Sequence, residues 1–354
     1  MTDPRVQKMA QVLVYYSLNL QPGEDFVLVT SPLADELNLA VCEEAIRAGA
    51  NIFVQNQILG FDEVFYQYAS DAQIEYISPL NQYIVENFNA MLNLEATRNT
   101  RELSQIDPER LARRRRANSG LFKRMLERMA NQELKWCYTL YPTPALAQEA
   151  DMSLRSYQDF VYRACMLDLP DPIAAWREEE AHQKRLIEWL KGRDQILIQG
   201  KDVDLKLSIR GRTFLGAAGK ENFPDGEIYT SPVENSANGW IRFAYPAIFG
   251  GREVIDVELW FEDGKIVKEK AAKGQDLLTA LLNTDAGARY LGELGIGTNY
   301  QIQRFTKNML FDEKLGGTIH LAVGHGFPEV GSKNESGLHW DMLCDMAEGQ
   351  MSAD

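Results

Sequence analysis

The chain has 354 residues, more than one hydrophobic core comfortably serves, so two domains are expected. Its content of 45% hydrophobic and 25% charged residues matches globular averages and excludes large-scale disorder. A net charge of −14, from 37 basic against 51 acidic residues, argues against nucleic acid as a partner, and no apolar run approaches the ~18–20 residues needed to span a bilayer.

Residues 4–20 carry apolar positions at helical spacing (Val6, Met9, Ala10, Leu13, Val14, Leu18). After the Pro22-Gly23 turn, Asp25 to Thr30 is a short apolar run of the kind found in buried parallel strands. A helix through Leu37, Ala40, Cys42 and Ile46 and a strand at Ala50 to Val54 complete a β-α-β unit, which predicts a parallel sheet. No G-x-G-x-x-G follows the first strand, so nothing there points to a dinucleotide. Tyr83-Ile84-Val85 or Ala90 to Leu94 extends the sheet, and Lys135 to Leu140 adds a further strand. Asp107 to Gln132 reads as a strongly basic helix, either an anion-binding face or a solvated helix, and the scattered apolar positions favour the second. A helix-rich stretch from Ser153 to Lys191 closes the first domain.

Beyond about residue 193 the pattern becomes period two, in Ile196 to Gln199, Val203 to Ile209 and Val254 to Phe261, with one helix from Gly274 to Leu282. That alternation predicts antiparallel strands. The expected organisation is an α/β N-terminal domain with a parallel sheet over 1–192 and a mainly antiparallel β (α+β) C-terminal catalytic, metal-binding domain over 193–354. Four widely spaced cysteines (Cys42, Cys137, Cys165, Cys344) form no C-x-x-C pair, and the opening Met1-Thr2-Asp3-Pro4-Arg5 has no apolar leader, so a cytoplasmic location is expected.

Three of the four histidines, His320, His325 and His339, crowd into one C-terminal stretch, flanked by Glu313 and Asp341. Imidazole with carboxylate is the usual ligand set of catalytic transition metals, and His339-x-Asp341 places both side chains on one face of a strand. Surface or packing histidines that are neighbours by chance are the plain alternative. Two further segments present an acid: Glu227 follows the Pro224-Asp225-Gly226 turn, and Glu293 sits among Gly292, Gly295 and Gly297, where close approach of backbone or ligand is possible. Glu227, Glu293, Glu313, His320, His339 and Asp341 exceed what one catalytic zinc uses, which implies a dinuclear site.

Several stretches carry a more specific likeness. They are Asn222-Phe223-Pro224-Asp225-Gly226-Glu227-Ile228-Tyr229-Thr230-Ser231-Pro232, the Gly-Arg-x-x-x-Asp-x-Glu-Leu-x-Phe-x-Asp-Gly run from Gly251, and Arg289-Tyr290-Leu291-Gly292-Glu293. Met309-Leu310-Phe311-Asp312-Glu313, Ile319-His320-Leu321-Ala322 and Leu338-His339-Trp340-Asp341 continue it. Together they resemble the thermophilic-type metallo-aminopeptidase family, the aminopeptidase T and aminopeptidase S group, in detail over roughly residues 215–345 and loosely before that. The resemblance implies two divalent metal ions (zinc, cobalt or manganese), a small peptide substrate, a homodimer, and the same six residues as ligands. Catalytic positions to which it draws attention are Glu227, His325 and Phe327.

Two of these depart from the family pattern. Phe327 stands where relatives have tyrosine, so a hydroxyl is missing, and His325 stands where arginine is common. His325 is open to three readings: a donor to the oxyanion, a group that orients a ligand, or an exposed loop residue. Two other functions remain open at this point. His320, His339 and Asp341 also make the two-histidine, one-carboxylate set of non-haem Fe(II) oxygenases, here a ring-cleaving dioxygenase with one iron. A metal-binding protein without turnover is the other.

Overall fold

A computed structural model describes residues 3–354, so Met1 and Thr2 of the opening segment lie outside the described residues. The chain forms two compact units. One runs to Ile173 and includes Gly219–Phe223; the other is Ala174–Ala218 with Pro224–Asp354.

The first unit is built on parallel strands β1 (Asp25–Thr30), β2 (Asn51–Asn56), β3 (Ala90–Glu95) and β4 (Lys135–Leu140), in the order β2-β1-β3-β4. Phe26, Val27 and Leu28 of β1 are fully buried, as expected of a strand covered on both faces. Helix α1 (Pro4–Val12) starts where Asp3 caps it with proline at the first turn, and α2 (Asp35–Arg47) links β1 to β2. Helices α3 (Phe61–Tyr68), α4 (Asp71–Glu75) and α5 (Pro79–Asn87) link β2 to β3. Of the two alternatives for the third strand, Ala90 to Leu94 is the strand; Tyr83–Val85 lies within α5, whose start Pro79 fixes.

The basic helix α6 (Pro108–Ala130) connects β3 to β4. Its arginines are committed within the unit: Arg113 to Asp71 and Glu75, Arg124 to Glu86, Arg116 to Glu109. Arg110, Arg114 and buried Arg128 donate to backbone carbonyls of α3, α4 and α5 and the residues just beyond them. That is the solvated structural helix, not an anion-binding face. A fifth strand, Asn222–Phe223, comes from far along the chain and pairs in parallel with β4. The helix Pro172–Leu190, expected to close the first domain, belongs from Ala174 onward to the second unit.

The second unit has two large antiparallel sheets and a separate two-stranded hairpin. The larger runs Lys265–Lys270, Val257–Glu262, Asn238–Phe243, Val203–Ser208, Gln195–Gly200, Gln350–Ala353. Its alternation is visible in Val203, Leu205 and Leu207, buried, against Asp204 and Lys206, exposed. The expected single strand Val254 to Phe261 is divided, because Asp256 takes a left-handed φ of 55° and the first part pairs instead as a hairpin with Ala247–Phe249. The smaller sheet runs His339–Asp345, Thr318–Gly324, Leu291–Gly297, Glu227–Thr230, Leu215–Ala217. One apolar cluster joins the two sheets, including Ile198, Leu205 and Ile241 from the larger and Leu294, Leu321, Val323, Trp340 and Met342 from the smaller.

Leu321 lies between two site-face residues in Thr318–Gly324, an interior strand of the smaller sheet, and is fully buried on the core side. Leu321→Ala should destabilise the metal-free protein by about 2–5 kcal/mol, read as a lower urea midpoint. A shift below about 1 kcal/mol would mean that this face does not carry the core.

Candidate metal centre

The smaller sheet divides its side chains cleanly. Ile319, Leu321 and Val323, with Leu338, Trp340, Met342 and Cys344, point into the apolar cluster. Their alternate neighbours His320, His339 and Asp341 therefore share the opposite face. Register confirms it: Asp341 pairs with Ala322, His339 with Gly324, Glu293 with Ala322, and Glu227 with Gly297. Glu227, Glu293 and His320 lie on strands paired on both sides, and His339 and Asp341 on the edge strand are held by an unbroken seven-pair ladder to Thr318–Gly324.

Glu293 reaches this face only through a β-bulge. Leu291 pairs with Val323, yet Glu293 pairs with the adjacent Ala322, so Gly292 is the extra residue. In a regular strand Leu291 and Glu293, two residues apart, would face the same way; with Gly292 bulged out Leu291 enters the core and Glu293 joins the histidines. Only glycine fits, since a Cβ at Gly292 would lie 2.1 Å from the His325 carbonyl oxygen. Ser231 anchors the bulge, its hydroxyl donating to the Gly292 carbonyl at 2.5 Å and accepting the Phe327 N–H at 3.0 Å. Gly295 faces His320 across the ladder, and a Cβ there would meet the imidazole Nε2 at 1.9 Å. Glycine is what lets that ring lie flat over the strand.

The donors converge around Glu293. His320 Nε2 is 3.4 Å from Glu293 Oε1 and 3.1 Å from Glu227 Oε2. His339 Nε2 is 3.3 Å from the other Glu293 oxygen, Oε2, and 3.5 Å from Asp341 Oδ2. Two groups of three donors, Glu227/Glu293/His320 and Glu293/His339/Asp341, each gather ligand atoms within 4.8 Å and could hold a metal ion. Glu313 stands apart from both. It caps the short helix Met309–Asp312 and pairs with the next residue, Lys314, whose fully buried ammonium also lies 3.5 Å from Glu227.

The unsatisfied atoms fit a cation. His339 Nδ1 lies 2.8 Å from the His325 carbonyl and can only donate to it, which leaves Nε2 facing two carboxylates. Buried His320 Nδ1 and Asp341 Oδ1 have no hydrogen-bond partner, and Glu227 Oε2 meets only the His320 imidazole. Such atoms cost free energy unless something binds them. Electrostatics agree. Burial opposes charge on His320, but Glu227 and Glu293 outweigh it and push its pKa up to about 10. The same contest, won by Asp341 and Glu293, pushes His339 up to about 11. Burial also works against the charge on Glu227 and Glu293, yet Lys314 and His320 hold Glu227, and His320 and His339 hold Glu293, below their ordinary values. In short, the site calls for positive charge, and its imidazole and carboxylate donors suit zinc, cobalt or manganese.

A family model described as thermophilic metalloprotease (M29) matches residues 2–351. The chain belongs to the thermophilic metalloprotease family. Within the curated proteins it is 26% identical to Aminopeptidase 2 of Geobacillus stearothermophilus over 354 residues, covering 92% of this chain and 84% of that one. It is 27% identical to Aminopeptidase T of Thermus thermophilus over 355 residues, covering 92% and 85%. Aminopeptidase AmpS of Bacillus subtilis is 23% identical over 350 residues, covering 91% and 84%. The solved structure of wild-type AmpT from Thermus thermophilus superposes with a TM-score of 0.85 at 23% identity, over 99% of this chain and 95% of that one, so the fold is shared.

For this metalloprotease, the sequence-derived site residues fall into three groups. Glu227, Glu293, His320, His339 and Asp341 come together; Glu313 stays with Lys314; His325 and Phe327 touch the cluster indirectly. His325 contributes its backbone carbonyl to His339. Phe327 packs its ring 5.1 Å from that of His339 and edge-on to Tyr229 at 5.5 Å. Sequence reasoning missed Lys314, Ser231 and the separate roles of Gly292 and Gly295. Lys314 follows a candidate ligand directly, a signal that was available; the others need the register.

Gly295→Ala should displace the His320 ring and lower metal content per chain, measured by elemental analysis beside a circular dichroism spectrum that shows the sheet intact. Unchanged content would mean that His320 is not a ligand. Because both imidazoles are held charged at neutral pH and ligation needs them neutral, loading metal-free protein should release about two protons per chain. Calorimetry in buffers of different ionisation enthalpy reads that number, and no buffer dependence would refute the charge assignment.

Proposed function

We propose that this metalloprotease is an aminopeptidase that removes N-terminal residues from small peptides, working with two divalent ions, zinc, cobalt or manganese. The observation that carries the reading is the division of Glu293 between two donor triads, one oxygen toward His320 and one toward His339. A carboxylate placed between two adjacent cation positions is the arrangement of two-metal hydrolases, aminopeptidases among them. The names of the relatives supply the same reaction class.

Ions bound there supply Lewis acidity toward a carbonyl oxygen and bring the pKa of a water toward neutrality. The chain supplies the rest. Glu227 and His320 hold one side, His339 and Asp341 the other, and Glu293 spans them. Glu313 is the sixth proposed ligand, and binding through it requires that it part from Lys314. Hydrolysis joins the water oxygen to the carbonyl carbon, breaks the C–N bond and delivers a proton to the leaving nitrogen. A carboxylate within hydrogen-bond reach must carry that proton, and Glu227, buried between His320 and Lys314, is our candidate. The surplus of carboxylates also suits a free α-ammonium, which restricts cleavage to the N-terminus. Phe327 offers the oxyanion no donor; its ring and the His325 carbonyl fix the tilt and tautomer of His339 instead.

The one-iron dioxygenase reading is set aside. A mononuclear set of His320, His339 and Asp341 leaves no role for Glu227, which packs against His320 as closely as any other group of the cluster, and the family is one of proteases. A turnover-free metal binder has no observation in its favour.

Elemental analysis should find about two zinc, cobalt or manganese ions per chain, and aminoacyl p-nitroanilides should be hydrolysed until a chelator is added. Glu293→Gln and His339→Ala should each lower both metal content and hydrolysis by more than the ~10–100-fold that loss of an outer-shell partner costs. One iron per chain with no anilide hydrolysis would overturn the proposal.

A further inference from the structure

The first unit holds a crevice of about 890 Å³ at the carboxyl ends of its parallel strands, in a different unit from the metal centre. Its position follows from strand order. From β1 the chain moves outward to β2, then crosses back past β1 to reach β3 on the other side. Where a parallel sheet reverses direction in this way, the connecting segments part and leave a cleft at the strand ends, and that is where open α/β sheets bind ligands. Ser31 after β1, Gln57 after β2 and Thr97 after β3 line it.

The charges in the crevice are unequally engaged. Arg114 donates to the carbonyls of Ile74 and Tyr76 at 3.0 and 2.5 Å. Glu95 accepts from the hydroxyls of Thr97 and Tyr138. Arg98 and Glu102 are left with each other only, Nη2 to Oε1 at 3.5 Å, too long for a good hydrogen bond. That Glu102 oxygen is buried and has no hydrogen-bond partner. Gly60, with a φ of 85°, lies over the pair: a Cβ there would come 3.0 Å from Arg98 Nη2 and 3.5 Å from Glu102 Oε1. The result is one guanidinium and one carboxylate, side by side and loosely paired, both lining the cleft.

An adjoining apolar hollow of about 260 Å³ shares Val29, Gln55 and Asn81 with the crevice and is walled by Ile84, Met91 and Phe122. A phosphate suits neither place, because carboxylates outnumber guanidinium groups in the crevice and the hollow is apolar.

We propose that this crevice binds a zwitterionic α-amino acid with an apolar side chain, its carboxylate on the Arg98 guanidinium and its ammonium on Glu102. Arg98 presents the planar fork that takes a carboxylate, and the ammonium supplies the donor that the Glu102 oxygen lacks. The inference does not rest on the peptidase reading. If both hold, a released amino acid has a second seat on the enzyme that made it.

Equilibrium binding of labelled L-leucine to chelator-stripped protein tests it, with Glu293→Gln as the background that removes binding at the metal centre. Saturable binding should persist in Glu293→Gln and weaken at least ~10-fold in Glu102→Gln and in Arg98→Gln, each the loss of a hydrogen bond to a charged group. Isopentylamine and 4-methylpentanoate, which lack the carboxylate and the ammonium respectively, should compete at least ~10-fold less well than leucine. Three results would each overturn the proposal: no saturable binding, binding indifferent to Glu102→Gln and Arg98→Gln in folded protein, or an amine or acid that competes as well as leucine. None of these bears on p-nitroanilide hydrolysis, so the two proposals fail separately.

Discussion

Four carboxylates gathered on and beside one sheet face repel one another, and two of them, Glu227 and Glu293, are almost wholly out of water. Ionised carboxylates pay heavily for desolvation unless positive charge accompanies them. The rest of the second unit can be read as the means of holding that repulsion in place. Apolar packing on the reverse face keeps the strands together, and Lys314, His320 and His339 bring cationic character to the front. The histidines are thereby drawn far from ordinary imidazole behaviour, and the same field makes the place attractive to a divalent ion.

The two units illustrate two ways of making a site from β-structure. In the antiparallel unit, function is written on the face of the sheet, where alternation separates core from chemistry and glycine or alanine between donors keeps the floor low. In the parallel unit the central strands β1 and β3 are buried on both faces, so polar groups collect at their ends, where the helical crossovers diverge. Each location follows from what the sheet has left exposed.

Much of this was legible from residues alone. Period two in Thr318 to Gly324 and His339 to Asp345 makes a strand with an apolar side and a donor side, so the histidines and Asp341 could be placed together without coordinates. The β-α-β opening was equally plain. What escaped notice depends on pairing partners that no local pattern specifies. Gly295 matters because it sits opposite His320; Asn222–Phe223 returns to the first sheet although its neighbours in sequence belong to the second unit; Asp256 divides a run whose hydrophobic pattern continues through it. Glu313 is a different case. Its place among the ligands came from the motif it sits in and not from strand alternation, because its side chain leaves the end of a short helix, beside a buried lysine.

The bulge at Gly292 turns a question of chemistry into one of counting. Side chains on a strand carry a parity, and the extra residue changes that parity once, between Leu291 and Glu293. A substitution nearby is a graded perturbation: a ring tilts, a distance lengthens. Straightening the strand with Gly292 kept is not graded at all, since a regular pleat puts Leu291 and Glu293 on one side and so sends either charge into the apolar interior or a hydrocarbon among the imidazoles. Over these few residues it is the path of the backbone, not the hydrophobicity of the letters, that decides which side chain reaches the histidines.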